Sequence, residues 1–433
     1  MVAKCRIAVV SPFLDRRHGT ERCVVEQVER LAREYGYEIH LYSQRVEDIG
    51  DLEEFGLGDE SPKRENGNDG AAEPPAPVAG RILWHKIADI PGPHLVKYLW
   101  WLLANQFRRR RDLRSRGLRY DLVYSPGINC WDADAIAVHI VFHELYRSVR
   151  NELALRKVPL RAWPRALHRR LYYRLIMALE KAIYPDPRVT LAAVSGLTAH
   201  ELRRFFGRED VHVIPSAVDV KTFNPAARQK RRGETRRSLR FEKEDFVLLL
   251  LGNDWKTKGL DCLLEAVARC RKLPLKVLVV GRDDPARYEA VIQRLGLHRQ
   301  VRFENPSADV VQFYAAADAY VGPSLHDSFA LPPAEAMACG LPVVTSRNNG
   351  GSEIISNGVD GLVLQEPTDA DELAYVIQQL CGDADLCRRL GEAASRTVQQ
   401  YTWARNVEQM NAVLKQVAAQ KQQDLVQGGK EAR

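Results

Sequence analysis

Two carboxylates, Asp327 and Glu335, stand eight positions apart in "HDSFALPPAEAMACGLPVV", residues 326–344. Pro332 and Pro333 fit the first turn of a helix, where missing N–H groups cost nothing. Gly340 fits a helix end and Pro342 follows it. The spacing therefore predicts a short helix over "PAEAMAC", with residues 327–331 as the loop in front. A helix N-terminus offers partial positive charge and N–H donors, which suits a diphosphate. Small residues such as Ser328 and Ala330 let the backbone approach a ligand. A second candidate is "GNDWKTKG", residues 252–259. It follows the apolar run "FVLLLL" and precedes "LDCLLEAVARC", a strand–loop–helix arrangement common at phosphate sites. In "RRHGTER", Gly19 permits close approach and Thr20 can cap a helix. His139 ends the run "DAIAVH", and strand ends on the carboxyl side line the crevice of an open α/β sheet.

The elements that must position these groups are legible as alternation. Apolar runs such as "RIAVVSPF", "YEIHLYS", "YDLVYSPG", "AIAVHIVF", "VTLAAVSG" and "VHVIPSAV" alternate with helix-like segments. The second half repeats the style with "FVLLLLGN", "LKVLVVGR", "VRFENP", "AYVGPS" and "LPVVTS". Nearly continuous Val/Leu/Ile runs mark strands buried on both faces. Their alternation with helices predicts parallel α/β layers, and two such sets predict two doubly wound domains. The 433 residues are comfortable for two domains. The hinge is expected in residues 214–225, where prolines and turn residues cluster. The predicted division is 1–213, 214–400, and 401–433 as a closing helix and tail. Residues 47–80 are rich in Gly, Pro and charge and lack apolar residues for a core, so they read as a long surface loop. The last residues, "QKQQDLVQGGKEAR", read as a frayed tail.

Composition narrows the function classes. No run of 18 uncharged apolar residues occurs, so a membrane span is not expected. The opening "MVAKCRIAVVSPF" lacks a signal peptide's layout. The eight cysteines form no C-x-x-C pair, which argues against zinc and redox chemistry and fits buried thiols in a reducing cytoplasm. The net charge of +7 is uneven: residues 81–190 carry 21 Lys/Arg against 9 Asp/Glu. That local excess points to an anionic partner for the N-terminal half.

The motifs resemble a known family. "PSLHDSFALPPAEAMACGLPVVTSRNNGGSEIISNGVDGLVL" is similar to the nucleotide-sugar site of retaining glycosyltransferases of the GT-B fold, family 4. Members usually show Glu-x7-Glu; here Asp327 stands first and Glu335 second. "SPFLDRRHGTERCVVEQVERLAREYGYEIHLYS" resembles the N-terminal glycine loop and its helix. "LGNDWKTKGLDCLLEA" resembles the donor phosphate loop, and "YTWARNVEQMNAVL" the closing helix that crosses back to the first domain. These pieces span most of the chain in the family's order. The resemblance implies two Rossmann-like domains facing across a cleft.

It also implies roles. Asp327 would contact sugar hydroxyls and Glu335 the ribose hydroxyls, as suits a carboxylate accepting from two hydroxyls. The backbone of Ser328, Phe329, Ala330 and Leu331 would meet the donor's phosphates and sugar. Lys258 matches the family's phosphate lysine; Asn253 stands where relatives often carry Arg, and Lys256 is the candidate second cation. Two cations would stabilise charge developing on the leaving diphosphate, with no cofactor and no metal, since no Asp-x-Asp stands where it would hold one. Gly19 would lie near the donor phosphate or the acceptor, Thr20 in the donor site, Arg282 near the base or phosphate, and His139 against the reacting sugar. His143 competes for that role, and His18 departs from the usual Gly-Gly. No protein nucleophile is implied.

Two basic, aromatic stretches remain. Residues 94–119 and 161–184 combine Leu, Trp and Tyr with arginine runs, which suits helices lying on an anionic membrane. No nucleic-acid motif accompanies the charge. The expected activity is transfer of a sugar, a hexose such as glucose, from a UDP-type donor to a saccharide or lipid-linked acceptor. The expected setting is surface polysaccharide, lipopolysaccharide or glycolipid synthesis on the cytoplasmic face of a membrane. Two alternatives stand beside it: a sugar-nucleotide epimerase of the same architecture, and a catalytically degenerate, membrane-bound donor-site protein.

Overall fold

The strands that the Val/Leu/Ile runs mark build two parallel sheets, each covered on both faces by helices. The computed structural model describes residues 5–16, 19–55, 80–150, 153 and 159–431. The chain divides into two units. The first comprises Met1–Val194, Thr198–Ile214 and Asn406–Arg433, the second Ser195–Leu197 and Pro215–Arg405.

The strands of the first unit are β1 (Arg6–Val10), β2 (Phe13–Leu14), β3 (Glu38–Ser43), β4 (Arg45–Val46), β5 (Leu52–Glu54), β6 (Arg81–Lys86), β7 (Leu122–Pro126), β8 (Ala135–Val138), β9 (Thr190–Ala193) and β10 (His212–Val213). Eight form one sheet in the order β10-β9-β8-β7-β1-β3-β6-β5, while β2 and β4 pair separately. All the pairings are parallel. Helices α1 (Gly19–Tyr35), α2 (His94–Arg116), α3 (Phe142–Val149), α4 (Trp163–Ile183) and α5 (Gly196–Phe206) connect them. Ile7 and Val9 face one core with Val24, Val28 and Leu31 of α1. Ala8 and Val10 face the other with Trp101, Ile136 and Leu191. The two-residue side-chain period of a strand explains this split.

The second unit holds β11 (Phe246–Leu251), β12 (Leu275–Val280), β13 (Val301–Glu304), β14 (Ala319–Gly322), β15 (Val343–Ser346) and β16 (Leu362–Leu364). Their order is β13-β12-β11-β14-β15-β16, parallel throughout. The order in which strands are added therefore reverses between β11 and β14, which is where open α/β sheets bind ligands at their carboxyl ends. Its helices are α6 (Pro225–Ser238), α7 (Leu260–Arg269), α8 (Glu289–Leu295), α9 (Val311–Ala316), α10 (Leu331–Ala338), α11 (Ala370–Gly382) and α12 (Ala384–Thr397). The chain closes with α13 (Trp403–Glu431). Val407, Met410, Val413, Leu414 and Val417 of this helix are buried in the first unit's core.

Several expectations change. Strand β5 lies inside the stretch read as a loop, at its start; residues 56–79 of that stretch lie outside the described residues. Strand β6, "RILWHK", was not expected. Its His85 is buried because His40 Nδ1 meets His85 Nε2 at 2.8 Å and Tyr42 stacks on the ring at 4.3 Å. Polar partners thus let a histidine occupy a central strand. The expected frayed tail is helical as far as Glu431. All eight cysteines are free thiols. Among the described residues, no helix is long and apolar enough to cross a membrane.

Candidate functional site

In the second unit the switch point carries charge. Lys258 comes from the loop after β11 and Asp327 from the segment after β14, and the lysine Nζ donates to the Asp327 carboxylate. Each side chain keeps a sixth of its surface exposed, at 16% and 17%. Gly252 makes room for the lysine: its φ is +133°, and a Cβ there would meet Lys258 Cε at 3.1 Å. The loop is braced from below. Trp255 N–H donates to Asp283 Oδ2 at 2.7 Å, and the buried Trp255 ring stacks on Phe303. Asn253 is exposed, and its side chain accepts the Arg282 N–H at 3.0 Å. That bond ties the loops after β11 and β12 together. Lys256 and Arg282 are both exposed.

The segment before α10 is fixed by its neighbour after β15. Asp327 N–H donates to Asn348 O at 2.9 Å, and Gly350 N–H donates to Asp327 O at 2.8 Å. Buried Asn349 accepts from Ala330 N–H at 3.1 Å and from Gly351 N–H at 2.9 Å. A Cβ on Gly350 would fall 2.0 Å from Ser328 O, so no side chain fits there. Ser328 and Ala330 are accordingly buried. Helix α10 begins at Leu331, two residues before the expected helix, because Ala330 takes the extended cap conformation. With prolines at the second and third positions, the N-terminus has fewer donors than a typical helix start. Among the described residues, the N–H groups of Phe329 and Leu331 have no partner. Glu335 sits one turn into α10, 6% exposed, and accepts the Tyr314 hydroxyl at 2.7 Å. Burial and this carboxylate push the Tyr314 phenol well above its usual range.

The first unit places the remaining candidates on carboxyl-end loops of its own sheet. Gly19 is the first residue of α1, so Thr20 lies inside the first turn instead of at the cap position expected for it. His18 lies outside the described residues. His139 directly follows β8. The residue as a whole is half-buried, but its Nε2 is shut off from solvent and has no hydrogen-bond partner among the described residues. Burial lowers the ring to about 4, so it is neutral at physiological pH. A buried ring nitrogen without a partner is costly unless a ligand supplies one.

His143 is engaged differently. Its Nδ1 lies 2.5 Å from Glu180 Oε2, and Glu180 also accepts N–H groups of Phe142 and His143. Glu180 therefore caps α3 from α4, a role the sequence did not suggest. Burial raises its carboxyl to about 8 against the pull of those N–H groups. Burial and nearby Lys181 lower the His143 ring, so both partners are driven toward their neutral forms. Among the described residues, no group of three or more His, Cys, Asp or Glu is placed to hold a metal ion.

The low affinity of His139 for protons sets a pH dependence. Its folded value lies below the usual 6.5, so the unfolded chain binds more protons between pH 4 and 6.5. Stability contributed by the neutral ring is present above pH 6.5 and is lost as pH falls through about 4. Thermal unfolding across that window should show a declining limb that is shallower in His139→Asn. An identical slope in the variant would mean the ring is hydrated after all.

Comparison with known proteins fits this geometry. Residues 17–222 match the family described as Glycosyltransferase Family 4, and residues 231–397 match Glycosyl transferases group 1. The chain is 29% identical over 289 residues to the MMP alpha-(1->4)-mannosyltransferase of Mycolicibacterium hassiacum, covering 65% of this chain and 66% of that one. It is 31% identical over 243 residues to the D-inositol 3-phosphate glycosyltransferase of Jonesia denitrificans, 53% of this chain and 57% of that one. The matches thus span about half to two thirds of these curated relatives. Among solved structures, it is similar to WaaG, a glycosyltransferase involved in lipopolysaccharide biosynthesis, with a TM-score of 0.69 at 18% identity, covering 94% of this chain and 99% of that one. It is also similar to Anabaena HepE in complex with UDP-glucose, with a TM-score of 0.65 at 18% identity, covering 95% and 99%. Those likenesses identify the fold as GT-B, and the two matched regions together cover most of the chain: the chain belongs to the group 1, family 4 glycosyltransferases.

Proposed function

We propose that this protein is a retaining, metal-independent hexosyltransferase. It takes a sugar from a UDP-linked donor and passes it to a hydroxyl of a saccharide or lipid-linked acceptor in surface polysaccharide or glycolipid synthesis. The observation that carries this reading is the Lys258–Asp327 pair at the sheet's switch point, one turn of helix away from Glu335. A cation suited to a diphosphate and two carboxylates suited to sugar hydroxyls in one unit support the reading. Lys258 and Lys256 hold the diphosphate. Asp327 and Glu335 accept from hydroxyls of the hexose and the ribose. The free N–H groups of Phe329 and Leu331 donate to donor oxygens. In the reaction, the bond from the anomeric carbon to the diphosphate oxygen breaks. The bond to the acceptor oxygen forms on the same face, and the departing phosphate oxygen takes the acceptor's proton. The configuration is then retained without a protein nucleophile, and the lysines stabilise the charge that develops. HepE, which shares the fold, binds UDP-glucose, and this supports the donor assignment.

Incubation with UDP-, GDP- and ADP-sugars, with and without EDTA, tests the reading through nucleotide diphosphate release. Release from a UDP-hexose that EDTA leaves unchanged is expected. Release that requires a divalent ion, or release of free sugar at a rate indifferent to any acceptor, would contradict it.

The membrane setting rests on the first unit. Val96, Leu99, Trp100, Leu103 and Phe107 are exposed along α2, and Leu160, Trp163, Leu167 and Leu171 are exposed at and along α4. Phe107 is 70% and Leu160 74% exposed. These recur every three or four residues, one apolar stripe per helix. The helices pack together, with Leu95 N–H donating to His168 and Tyr98 against Tyr172. Arginines 110, 111, 114, 161, 165, 169 and 170 flank the stripes. Apolar stripes framed by cations suit an anionic bilayer at the cytoplasmic face. Co-sedimentation with phosphatidylglycerol-containing vesicles is expected, weakening with salt. Leu103→Glu with Leu167→Glu should lower the bound fraction about tenfold. Equal binding of the double variant would exclude this face.

A further inference from the structure

The second unit has a cavity at the opposite end of its sheet from the Lys258–Asp327 pair. Its walls include Phe246, which starts β11, Asp318, just before β14, and Pro342, just before β15. It therefore lies a full strand length, roughly 17 Å, from the carboxyl-end loops. Its volume is about 480 Å³, within the range of small-molecule sites. One face of α12 lines it through Ala384, Cys387, Arg388, Gly391 and Ser395. Gly391 and Gly340 close the wall between α12 and the end of α10, since a Cβ on Gly391 would fall 2.3 Å from Gly340 O.

The charges in this cavity do not balance. Asp318 Oδ1 accepts from Arg232, and Oδ2 accepts from Arg236 at 3.0 Å and from Val247 N–H at 2.8 Å. Arg388 pairs with Asp385 and Glu392, each at 3.3 Å. Arg228 is left. Its Nη2 donates to Ala317 O at 3.0 Å, but its Nε is buried without a partner, and no carboxylate bonds it among the described residues. Burial and the neighbouring Arg232 push the guanidinium down to about 10, and the charge of Asp318, already shared by Arg232 and Arg236, offsets them only in part. The other walls are apolar, with Pro225, Phe246, Pro342 and Leu380, and carry two half-buried thiols, Cys381 and Cys387.

We propose that this cavity is a second ligand site, which takes a small organic monocarboxylate with a hydrocarbon body and holds its carboxylate on Arg228. One uncompensated cation matches one negative charge, and the remaining walls offer hydrocarbon more than hydrogen bonds. A dianionic phosphate would leave a charge unmatched beside Asp318 and Glu392. The occupant would touch Gly340, just past the C-terminal end of α10, the helix that carries Glu335 one turn from its start. The site is therefore placed to bias the donor loop through a rigid element.

Octanoate serves as the probe, with inorganic phosphate at equal ionic strength as the contrast, on the full chain. Two readouts locate the event: thermal unfolding, and alkylation of Cys381 and Cys387 followed by mass spectrometry. Octanoate should raise Tm saturably and slow alkylation of both thiols at least fivefold, while phosphate does neither. Arg228→Met should weaken octanoate at least tenfold. Ala384→Trp, at the exposed rim, should abolish thiol protection with the fold intact, which covers the case in which the arginine variant is unstable. Saturable binding without protection of these thiols would place octanoate elsewhere, for instance on the α2 and α4 stripes, and overturn the proposal. Unchanged affinity in Arg228→Met, protection that survives Ala384→Trp, or protection by phosphate would overturn it as well.

Discussion

Lys258→Ala should lower kcat for nucleotide diphosphate release by about a hundredfold to a thousandfold, the usual loss when one charge-stabilising donor is removed. The KM for donor should change less, because the diphosphate carries most of its new charge only as the glycosidic bond breaks. The effect has two physical parts. The cation is lost, and Asp327, now without its partner, faces the phosphates as an uncompensated anion. The double variant Lys258→Ala, Asp327→Ala separates them. If charge stabilisation dominates, the double variant stays as slow as the single one or slower. Recovery to near the starting rate would mean that Lys258 serves mainly to neutralise Asp327. A loss under tenfold in the single variant would remove Lys258 from the proposed chemistry.

Glu335→Gln should raise the donor KM by about tenfold to a hundredfold, since hydrogen bonds to a charged group contribute about 1.5–3 kcal/mol. The amide keeps an acceptor for the buried Tyr314 hydroxyl, so Tm should hardly move. Glu335→Ala removes that acceptor too. It should add a destabilisation of about 1–3 kcal/mol, the cost of stranding a buried hydroxyl. Adding Tyr314→Phe to Glu335→Ala should restore much of the lost Tm without restoring donor affinity. If the restored variant also regains donor affinity, Glu335 acts only by supporting the fold.

The contrast between these residues shows what the sequence disclosed. The strands with nearly continuous apolar runs, β1, β11, β12, β14 and β15, were legible because burial on both faces demands such runs. The Asp327 and Glu335 spacing was legible because the proline pair and Gly340 delimit α10 on either side. Strand β6 was not legible. Its tryptophan, histidine and lysine break the apolar pattern, and the partners that make His85 acceptable come from β3, far away in sequence. The same holds for the bracing of the site. Asn349, Tyr314 and Glu180 are ordinary residues in ordinary segments until the fold supplies what they bond. Asn253 read as a substitute for a phosphate-binding arginine, and in three dimensions it joins two loops. Local pattern shows which residues can do chemistry; the long-range partners that hold them still are written nowhere nearby.

The return of α13 to the first core has a consequence for how the protein is made. The second unit's two cores draw only on residues 215–405. It can close as soon as that stretch has left the ribosome. The first unit cannot, although it is synthesised earlier. Five large side chains of its core, Val407, Met410, Val413, Leu414 and Val417, arrive only after the second unit has been made. At roughly 1.5–3 kcal/mol each, their absence is comparable to the whole stability of a domain. At ordinary translation speeds of about 5–20 residues per second, the wait is roughly 10–40 s. For that time the nascent first unit exposes an unfilled groove beside α1. It is then a natural client for chaperones, and α13 is the helix that releases it.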